Sequence, residues 1–309
     1  MFSITGEENL PVLIGLAVGG ALALLVLLVL GSTQLGARHP RITCGAVLRL
    51  AVDTLARRAG ALSLLWLGFA LAYTSMTVFY ALTGSATRFL EAGMAAALIF
   101  IGHRIMLERP ARAVGIDMPD TGFWRILLRS LALGLSLIVT VGAIFVLAAL
   151  GIALANLAGL TGAAPRLIAG LASGVAAIWL STLYARLSFV YPSSVLGGRD
   201  WFGTALRRAA PVSLGLSVSL WLVAIVSITL IIPLVIGADA LMLRLAAELP
   251  TTPADLPDDI GTSLFWLGIA LEEVPLNLLL VAYSLVSIAC VSAAYRLTVL
   301  APGSEADDS

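Results

Sequence analysis

Seven stretches of this chain are long and apolar enough to cross a lipid bilayer, and they recur along all 309 residues. A helix needs about 20 such residues to cross a ~30 Å hydrocarbon core. The windows are residues 11–30, 61–82, 89–107, a part of 131–154, 167–191, a part of 211–236, and 274–297. In lipid each segment must satisfy its own backbone N–H and C=O groups, so windows of this length become helices. Composition agrees, with 60% apolar residues, 12% charged residues and a mean hydropathy of +1.03. Too little polar surface remains to cover a water-soluble globule. A cytosolic globular enzyme, a disordered chain and a fibrous chain are excluded. The net charge is zero, which removes the electrostatic case for a nucleic-acid partner. The expected fold is an all-α polytopic transmembrane bundle forming one domain over residues 1–309.

The charges between the windows orient it. All 18 basic residues are arginine, as codon bias in a GC-rich genome would produce. The first ten residues carry Glu7 and Glu8 and no arginine, the reverse of a signal-peptide n-region. With the N-terminus outside, seven spans place 15 of the 18 arginines on the inner side. Only Arg88, Arg166 and Arg244 fall outside. This is the positive-inside asymmetry of short loops. It also argues that the third window crosses despite Glu91, His103 and Arg104, since otherwise the next five arginines move outside. The expected location is the plasma (inner) membrane, with the C-terminus cytoplasmic. Residues 262–273 either extend the last span or lie at the interface.

An internal repeat is expected: a leading span over 11–30, then units over 44–107, 122–191 and 202–300. Three inner segments resemble one another: Gly45-Ala-Val-Leu-Arg-Leu50, Gly122-Phe-Trp-Arg-Ile-Leu-Leu-Arg129 and Phe202-Gly-Thr-Ala-Leu-Arg-Arg208. Each leads into two spans, and each second span ends in an arginine: Arg104, Arg186 or Arg296. Even-numbered units keep one orientation, unlike inverted-repeat transporters. Arg49, Asp53 and Arg57 follow at i+4, opposite Val47, Leu48, Ala51 and Leu55. That pattern predicts an amphipathic helix lying in the inner interface.

Few residues offer chemistry. Arg104, Arg186 and Arg296 sit near inner helix ends, where a long side chain snorkels or pairs between helices. With Arg207 and Arg208 they are candidate contacts for anionic lipid headgroups. Glu272 and Glu273, beside Pro275 and Asn277, are candidate polar groups at an outer helix end, as a cap or a cation site. Mid-span Thr140, Ser173, Ser227 and Thr229 are expected to bond back onto their helices, and Pro233 to kink the sixth span. Asp255, Asp258 and Asp259 read as a solvated acidic loop. Cys44 and Cys290 form no CxxC pair, and His39 and His103 no tight pair, so no metal or other cofactor is expected. No nucleophile-and-base pair is visible in the sequence. Gly15-x-x-x-Gly19 and Gly170-x-x-x-Gly174 permit close helix packing, within the chain or in a homo-oligomer.

Residues Tyr184-Ala-Arg-Leu-Ser-Phe-Val-Tyr-Pro192, then Ser193-Ser-Val-Leu196 and Ala205-Leu-Arg-Arg208, resemble the membrane domain of glycerophosphoryl diester phosphodiesterases and its stand-alone bacterial relatives. Tyr295-Arg-Leu297 is similar to that family's usual ending. The chain departs from the pattern at Gly197-Gly198, at Ala209-Ala210-Pro211 and in its additional first span. The resemblance implies the membrane part alone. Its hydrolase partner is a soluble barrel with a His-Arg-Gly start, whereas His103-Arg104 here precedes Ile105 and His39 precedes Pro40. The expectation is a non-catalytic scaffold or lipid-contacting module that meets anionic headgroups and works with a membrane protein partner. The alternative is a transporter of a small solute or lipid.

Overall fold

The computed structural model describes residues 10–33, 42–84, 88–113, 122–160, 162–198, 202–247 and 266–300. They form helices α1 (Leu10–Ser32), α2 (Cys44–Arg57), α3 (Ala59–Thr83), α4 (Arg88–Ala113) and α5 (Gly122–Leu157). Then come α6 (Ala163–Leu187), α7 (Val190–Val195), α8 (Phe202–Arg208), α9 (Ser213–Ala247) and α10 (Val274–Tyr295). Among the described residues, seven helices are long and apolar enough to cross a membrane. The protein is an all-α, multi-span membrane protein. Short α2, α7 and α8 lie together at one end, where α4, α6 and α10 finish and α3, α5 and α9 begin. We call this the arginine end.

Helices α2 and α8 are parted from the spans that follow them, whereas residues 122–133 are continuous with theirs. Between α2 and α3 the chain turns at Arg58 (φ −115°, ψ 12°). Between α8 and α9 a 3-10 turn, Ala210–Val212, contains Pro211, which supplies no N–H to a continuous helix. Residues 122–133 hold no such break, so α5 runs for 36 residues. Residues 266–273 extend the last span rather than lying apart: a π-helical turn, Ile269–Glu273, runs into α10. Helix α9 passes through Pro233 without interruption.

α10 is the central helix and packs against α2, α3, α4, α7 and α9. Its last eight residues, Ile288 to Tyr295, are all buried. Ala289, Cys290, Ser292, Ala293 and Ala294 are small, so neighbours approach from every side. α1 buries one stripe at i+4, namely Gly15, Gly19, Ala23, Leu27 and Gly31, against α6 and α9. Here the two GxxxG motifs meet. A Cβ on Gly15 would strike the Leu167 carbonyl, and one on Gly170 the Val12 carbonyl. The motifs therefore join α1 to α6 inside one chain, and that face is not open to a second copy. By contrast, no residue of α5 beyond Leu133 is buried, so its outer two thirds lie at the edge of the bundle, against α6 alone on one side.

Candidate functional site: the arginine end

The arginines of this end reach the short helices. Nε and Nη2 of Arg186, in the last turn of α6, both donate to the Leu206 carbonyl oxygen, at 3.0 and 2.6 Å. Leu206 lies in the last turn of α8, where a helix leaves carbonyls without intrahelical donors. A cation there also meets the negative end of the helix dipole. Arg296 donates through Nη1 to Thr54 Oγ1 at 3.1 Å, in the last turn of α2. Thr54 Oγ1 in turn donates a hydrogen bond to the Leu50 carbonyl at 2.7 Å. Arg129 donates to the Val190 carbonyl at 3.1 Å and to the Ser194 hydroxyl, both in α7. Arg125 donates to the Gly197 carbonyl at 3.3 Å, just beyond α7.

Arg104, Arg186 and Arg296 therefore reach three different places rather than one pocket. Arg104 lies 5.9 Å from the centre of the Phe100 ring, which meets Phe123 of α5 edge-on. Thus α6 holds α8, and the chain just beyond α10 holds α2. Arg207 and Arg208 are exposed on α8, and Arg49, Arg57, Arg109 and Arg112 are exposed around the same end. Two of these pair with a carboxylate one turn away, Arg57 with Asp53 and Arg112 with Glu108. Exposed i,i+4 pairs of this kind contribute little to stability.

Glu272 and Glu273 lie at the other end, half-buried in the π-helical turn. The cap expected of them is not formed. Glu273 makes no side-chain cap bond because the chain enters α10 already helical. Asn277 nearby is buried and donates through Nδ2 to Thr74 Oγ1 at 3.2 Å. Thr140 and Thr229 bond back to the Ser136 and Ile225 carbonyls, as expected. Asp255, Asp258 and Asp259 lie outside the described residues.

One feature was not visible in the sequence. His103 and Ser292, both 1% exposed, are hydrogen-bonded between Nδ1 and Oγ at 2.7 Å, across 189 residues. The Tyr191 ring stacks on His103 with centroids 6.3 Å apart, and Phe189 meets Tyr295 edge-on beside it. This is a histidine and a hydroxyl in hydrogen-bonding geometry, but it is sealed in the centre of the bundle. Neither residue lines the cavities described next. The only legible signal was a histidine in an apolar span, and its partner could not be read from spacing.

The cavities differ in character. One of about 610 Å³ lies between α5 and α6, lined by Ile144, Leu147, Ile168 and Ala172 among others. A second, about 490 Å³, shares Ile144 and Ser173 with it and adds Thr140, Tyr184, Trp221 and Tyr283. Two pairs of its polar groups are mutually engaged. Trp221 Nε1 donates to Ser181 Oγ at 2.8 Å, and the Tyr184 hydroxyl lies 3.4 Å from Thr140 Oγ1. A third, about 280 Å³, sits at the arginine end between α1, α6 and α9 and includes Arg186. A fourth, about 470 Å³, lies between α3, α4 and α10 and includes Tyr73, Glu91 and Asn277.

Fold and site together define a multi-span helical membrane protein whose short helices are tied to its spans by arginine. Compared with known proteins, the chain matches no family model, no curated protein and no solved structure.

Proposed function

We propose that this chain is a non-catalytic membrane module that contacts lipid headgroups through its arginine end and works beside a membrane partner. The observation that carries the reading is how arginine is divided there. Arg125, Arg129, Arg186 and Arg296 hold the short helices in place. Arg49, Arg57, Arg109, Arg112, Arg207 and Arg208 stand exposed around them. A fixed frame with a basic rim suits a negatively charged leaflet, where each arginine near the surface contributes about 1 kcal/mol. The rim then faces the cytoplasm of a plasma membrane, with the N-terminus outside.

The mid-bundle cavities support lipid contact over solute transport. The one of about 610 Å³ beside α5 is walled by apolar side chains apart from Ser173, and Pro233, Glu272 and Glu273 line none of the cavities described above. The resemblance to the membrane domain of glycerophosphoryl diester phosphodiesterases supports the same reading, since that domain stands beside a catalytic partner.

The test is extraction from the native membrane into polymer-bounded lipid discs, followed by lipid and protein analysis. Anionic phospholipid is expected to be enriched over the bulk membrane, with a membrane protein co-purifying. Replacing Arg49, Arg109 and Arg207 together by Gln is expected to abolish the enrichment. A disc with bulk lipid composition would sink the reading. Uptake of a solute by proteoliposomes would replace it with transport.

A further inference from the structure

We propose that the cavity beside Arg186 is a specific site for a phosphate-bearing anion, seated between the ends of α1 and α6 and the start of α9. This deepens the lipid-contacting reading by giving it one defined position. The cavity walls are built for it. Ile42 N–H donates to the Pro211 carbonyl at 3.1 Å, which lays residues 42 and 43 over the start of α9. Gly215 permits that approach, because a Cβ there would meet the backbone of Ile42 and Thr43. Gly31 does the same for the end of α1 against Leu214. These contacts leave an opening of about 280 Å³ rather than a packed junction. Its size, just below the roughly 300 Å³ at which ligand pockets usually begin, suits a small headgroup only.

Charge identifies the occupant. Arg186 is half-buried, and among the described residues no carboxylate lines the cavity. Two of its five guanidinium N–H groups are directed at the Leu206 carbonyl. The other three have no acceptor among the described residues. A cation drawn away from water without a counter-charge is unfavourable. Phosphate oxygens satisfy a planar guanidinium edge well. Three hydroxyls line the same opening. Those of Thr33, Thr182 and Ser213 now donate to carbonyls of their own or the preceding turn, at 2.7, 2.7 and 3.1 Å. Rotation about the C–O bond redirects such a proton without moving the oxygen. The site lies at a span end, the depth at which a bilayer places its phosphates. A lipid headgroup and free phosphate share this chemistry.

The experiment is native mass spectrometry of the full chain released from phosphatidylcholine nanodiscs containing phosphatidylglycerol. One tightly held phospholipid per chain is expected. Inorganic phosphate added as competitor separates the sources. If the phospholipid stays, the ligand is a lipid headgroup. If phosphate displaces it, the site takes the free anion as well; both results support the site. Arg186→Gln is expected to weaken retention about tenfold or more, since it removes charge-assisted hydrogen bonds. Ser213→Leu fills the opening while leaving the bond to Leu206, and is expected to do the same with an unchanged unfolding midpoint. This keeps the test decisive should Arg186→Gln fold poorly. Exposed Arg244→Gln, at the far end of α9 and outside both the rim and the cavity, should change retention little. Wild-type retention in folded Ser213→Leu, or an equal loss in Arg244→Gln, overturns the proposal. If the bound lipid persists while the rim variant shows no loss of lipid enrichment, the broader reading fails and this site stands.

Discussion

At the residue scale the arginines of this protein behave as hydrogen-bond donors to neighbouring helices more than as a substrate site. The pairing of Arg296 with Thr54 is the clearest case, because the threonine accepts from the arginine and donates onward to Leu50. Interhelical polar contacts in membranes average about 0.6 kcal/mol and reach about 1.7. Arg296→Met and Thr54→Val are each expected to cost about 1 kcal/mol, read from thermal unfolding in detergent. The double variant should lose less than the sum of the two, and strict additivity would show that the contact contributes nothing. His103 is a heavier case. His103→Ala strands the Ser292 hydroxyl and opens a void in a packed centre, so a loss of about 3 kcal/mol is expected. An unchanged midpoint would mean that the buried pair is not structural. Neither pairing was legible in the sequence. The partners lie 242 and 189 residues apart, and a serine or threonine in an apolar run looks the same whether it bonds its own helix or another.

At the element scale, what could be read was where helices run; which helices touch was hidden. In a water-soluble helix one apolar stripe marks the buried face. In a span every face is apolar, so the buried face is marked by small size instead. The α1 stripe of Gly15, Gly19, Ala23 and Gly31 is such a mark, and the Gly170 to Gly174 motif is its counterpart on α6. The motifs were visible, but their pairing with each other rather than with a second copy was not. Gly19→Leu is expected to cost at least about 3 kcal/mol, because its side chain would meet the Leu171 backbone, which cannot swing aside. Gly142→Ala on the outer part of α5 has nothing within 4 Å. It is expected to be neutral or to stabilise by up to about 1 kcal/mol through helix propensity. Unfolding midpoints of the two variants decide the matter, and equal effects would refute the assignment of faces. The continuity of α5 and the early start of the last span had the same root: no Pro or Gly breaks residues 123–133, and only the isolated Gly268, which a helix tolerates, lies between Trp266 and Pro275.

At the scale of the whole molecule, seven membrane-length helices force the two ends of the bundle to opposite faces of a bilayer. The arginine end gathers the starts of α3, α5 and α9 and the finishes of α4, α6 and α10. The opposite end carries the turn after α5, where Leu160 is 63% exposed. Arginine enrichment of short loops faces the cytoplasm because translocating those charges is costly. Single cysteines at exposed positions test this directly, once the buried Cys44 and Cys290 are replaced by Ala. With a membrane-impermeant maleimide, Leu160→Cys is expected to label in intact cells. Arg207→Cys should label only after the membrane is opened. The reverse pattern would invert the bundle and place the basic rim outside, against the gradient of anionic lipid on which the proposed headgroup contact depends. Labelling of both from one side would mean that the α6 segment between them does not cross, which would break the alternation of the spans.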